Sequence, residues 1–337
     1  VSLVELDIDN WLKNRDKFDL IIDARSPSEF AYSRIKGAIN LYVLNDKEHN
    51  EIGTLYKQNR SLAKVLGARY VCLNTSEHLP KIYEMAKVGS LVGVYCSRGG
   101  MRSNSISQIL SMIGYRVERL IDGYKSYRKN VLDEFEKPIS LKFITLFGNT
   151  GSSKTKLIRS LQPSLDLEHI ANHLGSVFGE INGKQPSQKE FEDNLFEELI
   201  LLKDKKACFI EGESRRIGSL TVPSSLHTSM RSGINVEIVA SLENRVECIM
   251  KDYKSVDSEF FYSCMKKISP FISKEARDDA INAYENNDIH KVCEILLVKY
   301  YDKVYKKPQK IDYTISSDDF ELAKSELMQI YNEQLKL

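Results

Sequence analysis

The sequence holds one tryptophan, eight prolines and only six cysteines in 337 residues. Cys72, Cys96, Cys208, Cys248, Cys264 and Cys293 are scattered, and no two form a C-x-x-C pair. That spacing speaks against a disulfide framework and against a zinc site, and it suits a reducing compartment. No apolar run approaches the length of a membrane span, and the N-terminus lacks a signal-peptide pattern. A cytoplasmic protein with no membrane partner is therefore expected. An excess of one charge is missing too: 48 Lys and Arg stand against 47 Asp and Glu. Any contact with nucleic acid must then come from local patches. What is present is a chain with 42% hydrophobic residues, long enough for two domains with a core each.

The clearest chemistry lies in Cys96-Ser97-Arg98-Gly99-Gly100-Met101-Arg102-Ser103, which follows the apolar run Leu91 to Tyr95 and precedes a helical pattern. A cysteine at a strand end, then two glycines and two arginines, describes a nest of backbone N–H groups that binds an anion and exposes a thiolate. An inert buried cysteine would need none of these neighbours. Around it, residues 1–132 alternate short strands and helices, which implies a parallel sheet with helices on both faces. Leu20-Ile21-Ile22 reads as a strand, and Asp23 with Arg25 as a local ion pair holding the loop after it. Ser26-Pro27 with Glu29 reads as a helix start. Ala38 to Asn40, Val88 to Tyr95 and Val117 to Ile121 read as strands, residues 50–70 as helical, and Asp122-Gly123-Tyr124 as a turn.

Residues 133–140 read as a linker and 141–337 as a second α/β domain with a helical extension. Phe143 to Phe147 is a strand that runs into Gly148-Asn149-Thr150-Gly151-Ser152-Ser153-Lys154-Thr155 and a helix. This is nearly the phosphate loop G-x-x-x-x-G-K-T, with backbone N–H groups for phosphates, Lys154 for the outer phosphate and Thr155 for Mg²⁺. Ser153 stands where the pattern has glycine. Asp166, Glu168 and His173, then Glu211 and Glu213 after the strand Ala207 to Ile210, read as magnesium or hydrogen-bonding partners of that loop. Their spacing is not that of a metal-binding helix. Arg215 and Arg216 suit a diphosphate or an RNA phosphate, against the plainer reading of ion pairs with Glu211 or Glu213. Lys299, Tyr300, Tyr301, Lys303, Lys306 and Lys307 mix cations with aromatics. They fit an RNA-facing patch or, equally, a surface helix with its tyrosines turned inward.

Two resemblances follow. Ile22 to Phe30, Gly37 to Asn40, the cysteine loop and Asp122-Gly123-Tyr124 resemble a rhodanese domain. The C-x5-R spacing from Cys96 to Arg102 is one residue longer than the usual sulfurtransferase loop and is similar to rhodanese-like phosphatases and arsenate reductases. The loop alone leaves chalcogen transfer and phosphoryl transfer open. With the phosphate loop, Asp166-Leu167-Glu168, Ala171-Asn172-His173, Gly175-Ser176, Phe178-Gly179, Gln185 to Gln188, Phe191-Glu192, Glu213 to Gly218, Leu296-Leu297 and Tyr300-Tyr301-Asp302, the chain resembles the bacterial tRNA 2-selenouridine synthase family. Ser153 departs from its pattern, as does Leu174, where the family tends to have arginine.

The resemblance implies a transferase acting on a tRNA whose wobble base is 2-thiouridine. Geranyl diphosphate alkylates the sulfur, and selenium from selenophosphate then displaces the S-geranyl group. It implies Cys96 as the group that carries or receives selenium, with Arg98, Gly99, Gly100, Arg102 and Ser103 binding selenophosphate. It implies in the same way that residues 148–155 bind diphosphate. No tightly bound cofactor is expected, Mg²⁺ would accompany the phosphates, and a selenophosphate-supplying enzyme would be a partner. Two other classes remain: a C-x5-R phosphatase or arsenate reductase, and a non-catalytic module that senses nucleotide.

Overall fold

The computed structural model describes the chain except residues 1, 177, 179–182, 253–256, 306 and 337. Gly179 and Lys306, both singled out above, lie outside the described residues. The chain divides into two compact units, residues 1–134 and 135–337.

The first unit is built on strands β1 (Ser2–Leu6), β2 (Leu20–Asp23), β3 (Ala38–Asn40), β4 (Leu91–Tyr95) and β5 (Arg116–Leu120). All pair in parallel in the order β1-β5-β4-β2-β3. Parallel strands covered on both faces read as continuous apolar runs, and β2 is buried at every position. Register sets Ile22 beside Val94 and Ile39. Ile22, Val92, Val94, Ile106, Leu110 and Val117 share one core. Strand β1 was not expected from sequence, since only Leu3, Val4 and Leu6 mark it. The polar stretch 50–70 belongs to two longer helices, Asp46–Gln58 and Arg60–Met85. Asn45 opens the first through a reciprocal capping box with Glu48, and Asn59 caps the second. The helix after the cysteine loop ends at Met112, and Ile113 beyond it is exposed. Helix Gly123–Glu136 runs on into the stretch expected to be linker.

The second unit has strands β6 (Lys142–Phe147), β7 (Ser164–Leu165), β8 (Ala207–Glu211), β9 (Arg216–Ile217), β10 (Leu220–Thr221), β11 (Ile234–Val239) and β12 (Tyr313–Ser316). Five of them form a parallel sheet in the order β12-β11-β6-β8-β7, and β9 and β10 form a separate antiparallel ribbon. The terminal helix Phe320–Lys336 puts Leu327, Ile330 and Tyr331 into the core with Ile144, Leu146 and Phe209. Residues 242–296 supply four helices, Leu242–Asp252, Ser258–Ile268, Lys274–Glu285 and Ile289–Leu296. The last three share a second core with Phe178. Among the described residues no helix is long and apolar enough to cross a membrane, and all six cysteines are free.

Parallel strands bring their carboxyl ends to one edge of a sheet, where α/β folds place ligands. Cys96 follows β4 and Asp23 ends β2. In the other unit Gly148 follows β6, Glu211 ends β8 and Glu168 lies just past β7.

Candidate functional site

Each unit carries one loop whose backbone N–H groups are largely without acceptors among the described residues, and each is assembled differently. In the first, Cys96 is buried, with its Sγ 3.1 Å from the Ser103 Oγ. Ser103 is fully buried and also donates to the Gly100 carbonyl at 3.2 Å. It lies at the start of the helix Met101–Met112, beneath the loop, and touches the thiol. The expected anion contact from Ser103 is thereby corrected to a thiol contact: its hydroxyl accepts from a thiol and can turn to donate to a thiolate. The turn at Asp122-Gly123 braces the loop from the other side. Tyr124 N–H donates to the Cys96 carbonyl at 2.7 Å and Lys125 N–H to that of Ser97 at 3.0 Å. Gly123 has φ +54°, and a Cβ there would collide with the Cys96 carbonyl oxygen, so the position needs glycine. Arg119 holds the Gly99 carbonyl.

The two loop arginines part ways. Arg102 is paired with Glu29, Nη1 to Oε2 at 2.5 Å and Nη2 to Oε1 at 3.3 Å, and Ser97 donates to the same carboxylate. Arg102 as a free ligand for an anion is corrected accordingly. Arg98 is exposed, with no partner among the described residues, and the N–H groups of residues 97–102 have no acceptor there. Those N–H groups and the Arg98 guanidinium are the donors at the loop that no protein group among the described residues takes up. Burial would raise the Glu29 carboxyl, but the hydrogen bonds and charge of Arg102, then Ser97 and the Ser26 N–H, bring it to about 2. Asp23 and Arg25 form the expected ion pair, at 2.6 Å and buried. Arg25 also donates to the Ser33 carbonyl and lies over the Tyr124 ring. These two residues hold the loop in place.

A depressed carboxyl stabilises the fold above its unfolded value, here 4.5, and that contribution fades as pH falls through about 2. Glu29→Gln is therefore expected to cost on the order of 2 kcal/mol above pH 4.5, after allowance for partial exposure, and progressively less below it. Urea midpoints of both proteins across that range check this; a difference independent of pH rejects it.

In the second unit the loop 148–153 joins β6 to the helix Lys154–Ser160. Lys154 Nζ lies on the Gly148 carbonyl at 2.7 Å and that of Asn149 at 3.3 Å. Among the described residues the N–H groups of Thr150, Gly151, Ser153, Lys154 and Thr155 have no acceptor, while that of Ser152 reaches the Asn149 carbonyl. The loop is held by residues from far along the chain. Arg245, buried, donates to the Thr150 carbonyl at 2.9 Å and pairs with Asp302 at 2.6 Å. Asp302 also accepts from the Asn149 side chain at 2.8 Å, and the Tyr305 hydroxyl accepts from the Gly148 N–H at 2.7 Å. Burial pushes the Tyr305 phenol up to about 12, so its own hydrogen stays available. Ser317 donates to the Ser152 carbonyl. Nothing local in the sequence marks Arg245, Tyr305 or Ser317, and Glu29 and Asp302 show there only as a helix-start acid and as part of a family motif, because the loop-bracing role of each is known only by its long-range partner.

Ser153 has φ +59° and ψ 18°, the left-handed region that favours glycine. Its cost is backbone strain, and its Oγ lies 3.7 Å from the Cys248 Sγ. Ser153→Gly is expected to stabilise the second unit by about 1 kcal/mol, read as a higher thermal midpoint. An unchanged or lower midpoint would contradict the strain argument.

Three acids crowd the loop. Thr155 donates to Glu168 at 2.8 Å, and the Glu168 N–H donates to Glu211 at 3.0 Å. A Cβ at Gly175 would meet both Glu168 and Glu213. Burial, and then mutual repulsion of the charges, pushes Glu168 and Glu211 above the ordinary carboxylate range. Burial also raises Glu213, against the pull of Lys154. Glu211 Oε1 is buried with no hydrogen-bond partner. Among the described residues no three His, Cys, Asp or Glu are arranged to hold a metal ion. A Mg²⁺ would rest on Thr155 and Glu168 with phosphate oxygens as its other ligands.

Other expected residues do different work. Asp166 caps the helix Leu167–Ala171 and pairs with Arg159 at 2.7 Å, and its charge is among those that, after burial, raise the Glu168 and Glu211 carboxyls. The His173 Nδ1 accepts from the Gly175 N–H, shaping that turn. Arg215 and Arg216 are exposed and make no ion pair with Glu211 or Glu213 among the described residues. Tyr300 is buried and Tyr301 half-buried, both in the second core with their rings 4.9 Å apart. The RNA-facing reading of the two tyrosines is corrected: apolar contact inside the helical region outweighs exposure. Lys299 and Lys303 are exposed, and Lys307 pairs with Glu237 at 2.5 Å.

A braced cysteine loop on one parallel sheet and a phosphate loop on another define a rhodanese-like domain joined to a P-loop domain. Family models agree: a rhodanese-like domain matches residues 8–130, and the tRNA 2-selenouridine synthase AAA domain matches residues 141–271. A tRNA 2-selenouridine synthase of Hydrogenovibrio crunogenus is 31% identical over 92% of this chain and 95% of its own. That of Pseudomonas syringae pv. syringae is 39% identical over 69% of this chain, and that of Alcanivorax borkumensis 36% identical over the same share. The chain spans 65% of the Pseudomonas syringae protein's length and 66% of the Alcanivorax borkumensis one. The chain belongs to the tRNA 2-selenouridine synthase family.

Proposed function

We propose that the chain is a transferase that modifies the wobble 2-thiouridine of tRNA in two steps. In the first, the thiocarbonyl sulfur attacks C1 of geranyl diphosphate, and the C–O bond breaks with its electron pair leaving on diphosphate. The unit 135–337 suits this step. Lys154 rests on two carbonyls and can swing to the leaving group, which the free N–H groups of the loop and the Tyr305 hydroxyl would also receive. Mg²⁺ on Thr155 and Glu168 would add charge stabilisation there.

In the second step selenium from selenophosphate takes the place of the S-geranyl group, which departs as the thiol. The selenophosphate anion fits the N–H nest with Arg98, where the Cys96 thiolate would attack phosphorus. The P–Se bond breaks with its electron pair on selenium, and the selenide so released adds to C2 and expels the geranyl thiolate. Water then hydrolyses the S-phosphocysteine to phosphate. Arg215, Arg216, Lys299 and Lys303 are the exposed cations offered to tRNA phosphates. An enzyme that makes selenophosphate is the upstream partner, and the cytoplasm is the setting that tRNA requires.

The observation that carries the reading is one chain of this family holding two separate anion loops, one with a cysteine and one with a movable lysine. The test is the nucleoside profile of tRNA from selenium-supplied cells with and without the gene. 2-Selenouridine is expected only with the gene; identical profiles reject the proposal.

A further inference from the structure

A cleft of about 890 Å³ lies over the phosphate loop, and a second cavity of about 780 Å³ adjoins it. Thr150, Glu247, Ile249, Lys251 and Tyr301 line both. Thr150 is the crest of the phosphate loop and Lys251 brings a cation to the junction, so a head group on the loop would have its next atoms at the mouth of the second cavity.

The second cavity has walls of another kind. Ile289, Val292, Cys293 and Leu296 recur at i, i+3, i+4 and i+7 along the helix Ile289–Leu296, the stripe by which a helix buries one face. Phe261 and Tyr284 also line it, their rings stacked at 3.9 Å and 8°, a flat aromatic wall. Burial pushes the Cys293 thiol up to about 11, as an apolar setting requires. Val292, Cys293 and Leu296 are themselves buried in the helical cores, and the edge they leave open to the cavity is apolar surface of the kind that ligand pockets present. Glu247, Lys251, Glu285 and Asn287 supply the polar part of the lining.

We propose that this cavity, between the Ile289–Leu296 stripe and the Phe261–Tyr284 stack, holds the isoprenoid chain of the diphosphate whose head lies on residues 148–155. The proposal rests on the prenyl-diphosphate reading above and adds to it the location of the hydrocarbon subsite. A planar trisubstituted alkene stacks on an aromatic wall, and branched methyl groups fill the spaces between Ile289, Val292 and Leu296. The segment Leu297–Tyr301 that closes this region is a π-helix, a widened turn frequent at functional sites. It carries Tyr301 into both cavities and leads directly to Asp302 and Tyr305, which hold the phosphate loop. Chain and head group are thus sensed by one continuous segment. Cavity depth then sets the preferred chain length.

The test is equilibrium binding to the purified full chain of geranyl diphosphate, dimethylallyl diphosphate, inorganic diphosphate and ATP, for wild type, Ile289→Trp and Val292→Phe. Wild type is expected to bind geranyl diphosphate at least tenfold more tightly than inorganic diphosphate. Both variants are expected to lose that advantage, Ile289→Trp by tenfold or more, while inorganic diphosphate binds as before, which also certifies their fold. The shorter dimethylallyl chain should lose less than the geranyl chain. Variants that keep the full geranyl advantage overturn the location while leaving the prenyl reading intact. A wild type that binds geranyl diphosphate no better than inorganic diphosphate overturns the prenyl reading itself. ATP binding more tightly than both, weakened by the same variants, assigns the cavity to a nucleobase and overturns the isoprenoid.

Discussion

Cells that carry Cys96→Ala in place of the wild-type protein are expected to contain geranylated 2-thiouridine and no detectable 2-selenouridine in their tRNA. Removing a nucleophile that acts as part of a unit costs on the order of a thousandfold or more, because no neighbour replaces it. Ser103 is the nearest candidate, but its hydroxyl is fully buried behind the sulfur and bonded to the Gly100 carbonyl. The N–H nest and Arg98 remain in the variant, so the donor still binds while transfer stops. The substitution is small, and the loop's supports at Tyr124, Lys125 and Arg119 attach to backbone carbonyls that it leaves alone. Liquid chromatography with mass detection of digested tRNA reads both nucleosides at once. Ordinary 2-selenouridine in this strain would remove Cys96 from the chemistry.

Lys154→Ala should give the opposite pattern, with 2-thiouridine accumulating and neither geranylated nor selenium-containing nucleoside formed. Diphosphate gains negative charge as the C–O bond breaks, and one positioned donor at such a site is worth roughly 10²–10³ in rate. Lys154 Nζ sits within 3.3 Å of two loop carbonyls, a resting place from which only side-chain rotation is needed to reach a phosphate. Lys154→Arg keeps the charge but brings a planar fork that does not fit the same space, so it should rescue little. The measurement is geranyl transfer from geranyl diphosphate to 2-thiouridine tRNA by purified protein. Wild-type rates in Lys154→Ala would end the assignment of residues 148–155 to diphosphate. Together the two variants separate the steps, because each leaves a different nucleoside behind.

Much of the architecture was legible in the chain. Apolar runs ending in functional residues located β2, β4, β6 and β8, since a strand buried on both faces has no alternation to confuse with a helix. The two loops were legible for a related reason: glycine, lysine and cysteine at fixed offsets are local requirements of the backbone. Strand β1 was not legible, being short and partly polar. Neither was the full length of Arg60–Met85, which holds Pro80 and a mixed surface.

The sites were legible only in part, and the misses have one cause. Arg102 looked like an anion ligand until its partner Glu29 was found 73 residues away. For Tyr300 and Tyr301 the sequence left base stacking and inward packing equally open, and the inward reading holds, because their neighbours are helices and apolar rings are worth more inside. Asp166 caps its own helix, a local role, while its charge also reaches Glu168 and Glu211 beside the phosphate loop.

The sequence by itself determined which strand-to-helix loops leave backbone N–H groups without local acceptors, because that depends on glycine and on residues a few places apart. The tertiary structure decided which cations remain unpaired, which carboxylates crowd Thr155, what braces each loop, and where an apolar chain has room. Those properties belong to pairs separated by tens to hundreds of residues: Cys96 acquires Ser103 locally, but Arg102 acquires Glu29, and Gly148 acquires Tyr305, only on folding. Charge pairing and burial act through space, and distance along the chain does not encode them.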